Sequence, residues 1–379
     1  MEESVRVMLM PMSNVVSEVQ RLKVSQFQGK DAAELPEESD FGTMHDGTPV
    51  RLYTLRRGTL EASFTNFGSR LVSLKTPDRG GEVDEIVLGF SSLEQYVADD
   101  AYMGAVVGRY GNRIAEGRFS LNGNAYQIPP NNKGNALHGG PVGFDHRVWQ
   151  AQTIADGVEM TLESADGDQG FPGTLMLMVR YTLRDDALQI EYTATTDETT
   201  VINVTNHAYF NLAGEGSGSI LEHVVMISGD RFTPTDARLI PTGELAHVEG
   251  TPFDLREMTR IGSRIGEANE QLQFAGGYDH NWVLGETGEP KLAARVREGR
   301  SGRVMTVETT EPGIQFYSGN FLDGSLPNRS GGRYGKHAGL CLETQHYPDS
   351  PNQPHFPSVV LNPGETMHSR TTFSFSVEA

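Results

Sequence analysis

Period-two alternation recurs along most of this chain and is almost never interrupted by a long helix; no other feature limits the fold as much. Leu60, Ala62 and Phe64 alternate with Glu61, Ser63 and Thr65, and Val158, Met160 and Leu162 alternate with Glu159, Thr161 and Glu163. Leu175, Leu177, Val179, Tyr181 and Leu183 make one face of a longer strand; Leu188, Ile190, Tyr192 and Ala194 make the next. Residues 184–187 between them read as a hairpin connection. Phe373, Phe375 and Val377 close the chain with the same pattern. Helical signals are confined to residues 92–99 and 263–272. A parallel sheet needs a crossover helix between successive strands, and none is available. The expectation is an all-β protein: a large antiparallel β-sandwich with few short helices.

Composition supports this and excludes several functions. The 43 glycines among 379 residues suit many tight turns. The formal charge of −19 repels polyanions, so no nucleic-acid partner is expected, and phosphorylated substrates are disfavoured. Cys341 is the single cysteine, which rules out an intrachain disulfide. Glu2 and Glu3 stand where an export signal carries positive charge, and Pro11 breaks the short apolar run behind them. No run approaches the roughly 20 apolar residues of a membrane span. A cytoplasmic protein without membrane association is expected, as a monomer or homodimer. Residues 1–40 lack sustained periodicity and read as a poorly ordered extension, leaving 41–379 as one domain.

Six polar clusters interrupt the strands: GRYGNRIAEGRF (108–119), NNKGNALHGG (131–140), VINVTNHAYFNLAG (201–214), AGGYDHNWVL (275–284), GIQFYSGNFLDG (313–324) and GLCLETQHYPDSPNQPHFP (339–357). Taken singly, each has a structural explanation. Gly-flanked polar residues build turns, and an isolated His in a strand is usually a satisfied structural residue. Two positions resist that reading. Cys341 and Glu343 share the strand face opposite Leu340 and Leu342, and four prolines follow before residue 358, so Glu343 sits where a strand empties into a stiff loop. In the third cluster, read as one strand, Asn203, Thr205 and His207 share a polar face opposite Ile202 and Val204. There is no HExxH, paired-cysteine metal spacing, Walker loop, dinucleotide fingerprint or G-x-S-x-G elbow. No metal or cofactor is therefore expected. An acid–base site of Glu, His and Asp with hydroxyl-binding Asn, Arg and Gln remains, and it suits a neutral polyol.

The ordered set of motifs resembles the aldose 1-epimerase family, also called galactose mutarotases, from about residue 41 to the C-terminus. The resemblance implies a galactose mutarotase-like β-supersandwich with a cleft. It also implies interconversion of the α and β anomers of free aldohexoses such as galactose and glucose. By motif, it makes Glu343 the general base and His207 the general acid. Arg113 and Asp279 become substrate binders and His138 a second site imidazole, with Asn112 and Gln315 as further candidates from the same neighbourhoods. Carboxylates near His207 are expected to favour its charged form. A non-catalytic sugar-binding domain and a hexose-6-phosphate 1-epimerase are the rival readings; the first needs no matched acid and base, the second needs a cationic phosphate pocket.

Overall fold

Three antiparallel sheets make the body of the molecule, which the computed structural model describes for residues 35–378. The first runs in chain order through Glu37–Thr43, Pro49–Arg57, Leu60–Thr65, Arg70–Pro77 and Val83–Glu85. The largest has nine strands, in the order Gln150–Ile154, Gly157–Ser164, Leu175–Leu183, Ala187–Thr196, Met367–Val377, Arg303–Thr309, Lys291–Arg297, Val224–Ile227 and Thr259–Arg260. Its C-terminal strand lies in the middle, between strands contributed from far apart in the chain. Residues 150–377 are therefore closed into one unit by backbone hydrogen bonds alone.

The third sheet carries the chemistry. Its six strands run Tyr209–Phe210, Leu340–Gln345, Gly313–Tyr317, Asp279–Val283, Arg231–Thr233 and Ala246–His247. The nine-stranded sheet covers both smaller ones through one continuous apolar core. Phe64 stacks on Tyr181 with ring centroids 4.3 Å apart, and Phe210 meets Phe373 at 5.3 Å. Burying each such side chain contributes roughly 1.5–3 kcal/mol. Alternation then decides what faces the other way. Leu340 and Leu342, Ile314 and Phe316, and Trp282 point into the core. Cys341 and Glu343, Gln315 and Tyr317, and Asp279 and Asn281 take the opposite face.

The antiparallel, helix-poor sandwich agrees with the sequence expectation, including the hairpin between Leu175–Leu183 and Ala187–Thr196. Three details differ. Residues 201–214 are not one strand: Thr200–Val201 pairs with Val360–Leu361, Thr205–Asn206 with Val106–Val107, and Tyr209–Phe210 with Leu340–Gln345. Buried amides explain the breaks, because the side chain of Asn203 binds the backbone of Gly111 and His346, and that of Asn206 binds Gly104 and Ala208. The helical signal over 263–272 resolves into Ile261–Arg264 and Glu270–Ala275, the latter capped by Asn269 at its start and by left-handed Gly276 at its end. Finally, residues 37–40, read as part of an extension, belong to the first strand, where Glu37–Asp40 pair with Arg51–Thr54. The rest of that expectation, residues 1–34, lies outside the described residues. None of the described helices is long and apolar enough to cross a membrane.

Candidate active site

A cleft of about 410 Å3 opens over the polar face of the six-stranded sheet, and Glu343, His207, His138, Arg113, Asp279 and Asn112 all line it. Register explains two of these six, Asp279 and Glu343. Asp279 pairs across the ladder with Tyr317, Tyr317 with Cys341, and Gln315 with Glu343. The strand Leu340–Gln345 is buried on both faces, so Glu343 is a carboxyl fixed at the cleft floor, 2% exposed.

The other four come from short segments folded against one another. Arg113–Ile114 pairs with Ala136–Leu137, which carries the preceding Asn112 alongside His138. The Asn112 peptide N–H donates to His138 Nδ1 (3.0 Å), and the His138 N–H donates to the Asn112 carbonyl (3.1 Å). Gly139, at φ +93°, lets the chain turn away, since a Cβ there would lie 1.9 Å from the Gly108 carbonyl oxygen. The His207 peptide N–H donates to the Ala105 carbonyl, and the His207 carbonyl accepts from Gly104 N–H. This backbone clamp holds the imidazole with Nε2 3.8 Å from Glu343 Oε1 and Nδ1 3.6 Å from Cys341 Sγ.

Arg113 lies beside Asp279, Nη1 to Oδ2 at 3.7 Å, and its Nε donates to Asn132 Oδ1 at 3.4 Å. Gln315 does not line the cleft. Its Nε2 donates to Asp279 Oδ1 at 2.7 Å, which ties it to the aspartate on the cleft wall. Oε2 of Glu343 has no hydrogen-bond partner among the described residues, which leaves an acceptor for a ligand hydroxyl.

Burial controls the electrostatics. It pushes the Glu343 carboxyl well above the ordinary carboxylate range, assisted by Asp279 and opposed by Arg113. It also pulls the His207 imidazole down to about 4 and the His138 imidazole well below 6.5. The expectation that nearby carboxylates hold His207 charged is thus reversed. Removing an imidazolium from water costs more than a backbone hydrogen bond and the more distant Asp145 return.

His138, His207 and Glu343 offer three ligand atoms within 4.8 Å of one another, the donor types of a zinc site. The hydrogen bonding at His138 does not fit a metal. A ligating histidine normally donates from its remote nitrogen. Here the Asn112 N–H makes Nδ1 an acceptor, which leaves the proton on Nε2, where a metal would need a lone pair.

Sequence reasoning missed the aromatic walls. Tyr209 and Tyr317 flank His207 at 5.0 and 6.3 Å, and Tyr102 meets both imidazoles, 5.8 Å from His207 and 4.6 Å from His138. Tyr209 and Tyr317 were findable, each two residues beyond a singled-out polar position on the same face. Tyr102 carries no such signal, because it reaches the cleft from a loop.

A buried carboxyl and imidazole, faced by an arginine, an aspartate and a second imidazole in a β-sandwich cleft, define an acid–base enzyme of the supersandwich class. The chain belongs to the aldose 1-epimerase family: the family profile of that description matches residues 51–374. It is 47% identical to the galactose mutarotase of Mus musculus over 331 residues, covering 87% of this chain and 95% of that one. It is 42% identical to the aldose 1-epimerase of Escherichia coli K12 over 339 residues, 88% and 97% of the two chains. Among solved structures, a GalM/aldose epimerase homologue from C. elegans superposes with a TM-score of 0.79 at 30% identity, covering 91% of this chain and all of that one.

Proposed function

We propose that this protein interconverts the α and β anomers of a free aldohexose, galactose being the first to test, by general acid–base catalysis between Glu343 and His207. The observation that carries the reading is the pair itself, 3.8 Å apart at the floor of a cleft large enough for a pyranose. Glu343 takes the proton of the anomeric hydroxyl while His207 gives one to the ring oxygen. The C1–O5 bond breaks, C1 becomes a carbonyl, and rotation about C1–C2 presents its other face. Reclosure returns both protons with the roles reversed. Burial favours the neutral form of each group in the empty cleft, and by the same shifts makes the ionised carboxylate a stronger base and the imidazolium a stronger acid. Arg113, Asp279, His138 and Asn112 hold the sugar hydroxyls, and Gln315 steadies Asp279.

A free sugar rather than a sugar phosphate follows from charge, since Asp100, Asp279, Asp323 and Glu343 line the cleft against Arg113. The reading needs no metal or nucleotide. Polarimetry on freshly dissolved α-galactose is the test. Acceleration of its relaxation by purified protein is expected. Binding without acceleration would make the cleft that of a lectin-like domain.

A further inference from the structure

Tyr102 faces the cleft on a backbone that a tyrosine seldom adopts, with φ +59°. Two sets of contacts hold it there. Beneath the loop lies an ion pair with no solvent exposure, Arg70 Nη1 to Asp99 Oδ2 at 2.7 Å. The same Asp99 carboxylate accepts from the N–H groups of Ala101 and Met103, on either side of Tyr102, and Arg70 donates to the Met103 carbonyl. From the site sheet, the Tyr209 hydroxyl donates to the Ala101 carbonyl, and Gly104 N–H donates to the carbonyl of His207 itself. Every residue from 101 to 104 is therefore tied by its backbone to this frame, Tyr102 through its carbonyl, which accepts from Ala105 N–H at 3.0 Å. What the frame fixes is a ring set nearly parallel to the His207 imidazole (29°) and edge-on to that of His138 (66°).

Strained backbone over-determined by its surroundings marks a position where the side chain is needed in one place. From this geometry we infer that Tyr102 is the positioning residue of the acid–base pair: its ring, delivered by the Arg70–Asp99 brace, fixes the orientation of His207 and His138 and keeps water from the His207 ring. The inference rests on the reading of His207 as the acid. The ring rather than the hydroxyl does the work, because the contacts are ring to ring. Other groups also face His207. Glu343 and Cys341 approach from Leu340–Gln345, Tyr317 from the neighbouring strand, Tyr209 with its ring tilted 32° to the imidazole at 5.0 Å, and His138 edge-on; Asp145 and Arg70 act on it at longer range. Tyr102 differs from them in meeting both imidazoles, His207 and His138, with one ring.

The experiment compares Tyr102→Phe, which keeps the ring, with Tyr102→Asn, which removes it while suiting a left-handed backbone. Tyr102→Gly is a second ring-free variant in case Asn folds poorly. Mutarotation of galactose is measured for each, and the His207 imidazole is titrated by NMR in the substrate-free protein. Tyr102→Phe is expected to match wild type in both. The ring-free variants are expected to lose on the order of tenfold or more in kcat, with His207 titrating above the wild-type value, toward about 6.5. Wild-type kcat and titration in a folded ring-free variant would overturn the inference, as would an equal loss in Tyr102→Phe. The wild-type rate tests the mutarotase reading separately, and the NMR titration reports on Tyr102 whatever that rate proves to be.

Discussion

Glu343 and His207 are each held by neighbours that would remain after substitution, so their chemistry can be removed without dismantling the site. Glu343→Gln keeps the side-chain shape without the basic carboxylate, and His207→Asn keeps a donor without an imidazolium. Each should lower kcat by roughly 10²- to 10⁴-fold. The double variant should be little worse than the poorer single one, because the two act as a unit. Polarimetry on variants shown folded by circular dichroism checks this, and near-additive losses would count against a concerted pair. The active form needs Glu343 ionised and His207 protonated, so kcat/KM should be bell-shaped, with limbs belonging to the coupled pair. Replacing His207 should remove or shift the alkaline limb. Because His138 presents Nε2 already protonated, dialysis against EDTA should leave activity intact; a loss restored by zinc would contradict the metal-free reading.

The Asp99–Met103 loop and the strand Leu340–Gln345 position these side chains by different physics. The strand needs only alternation and register. The loop depends on a buried ion pair with 0% exposure on both sides. Breaking such a pair by removing one partner typically costs about 3–5 kcal/mol, since the other charge is left buried alone. Asp99→Asn should therefore lower the stability measured by urea unfolding by about that amount. An exposed pair such as Arg260–Glu222 should cost under about 1 kcal/mol when broken. Equal effects from the two would mean that the brace bears no special load.

Acid sensitivity can be traced through a group remote from the cleft. His223 is buried, its Nε2 accepts from Leu212 N–H, and burial pulls its pKa down to about 4, partly offset by Glu298. The folded value lies below the ordinary 6.5, so between those limits the unfolded chain binds more protons. Stability then rises with pH across the window and falls as pH drops from about 6.5 toward 4. His223→Gln keeps an acceptor for Leu212 and does not titrate. Relative to it, the wild type should lose on the order of 3 kcal/mol between pH 7 and pH 4, read by urea unfolding at both values. A pH-independent difference would mean that His223 binds protons equally in the folded and unfolded chain. At the chain's start, the family match begins at residue 51 and the first strand at Glu37. Removing residues 1–34 should leave turnover near wild type, and a large loss in a folded truncation would show that this segment completes the site. A cut at residue 40 is a different experiment, because it strips Glu37–Asp40 from the first strand.

Much was legible in the sequence because β-structure writes its period directly into side-chain polarity. The strands at 60–65, 157–164, 175–183, 187–196 and 367–377, the antiparallel class, and the facing of Glu343 away from Leu340 and Leu342 all follow from two-residue alternation. The motif resemblance added the acid–base pair and the residues around it. Register across distant strands was not legible. Asp279, Gln315 and Glu343 lie side by side because three strands from separate parts of the chain pair in one alignment, and no local pattern encodes that alignment. Nor could the sequence show that residues 201–214 break into separate short ladders, since that depends on which backbone groups the Asn203 and Asn206 amides find. The protonation bias of His207 was misjudged for a related reason. Neighbouring carboxylates are visible in a sequence, but the depth of burial that outweighs them exists only once the sheets have closed around the cleft.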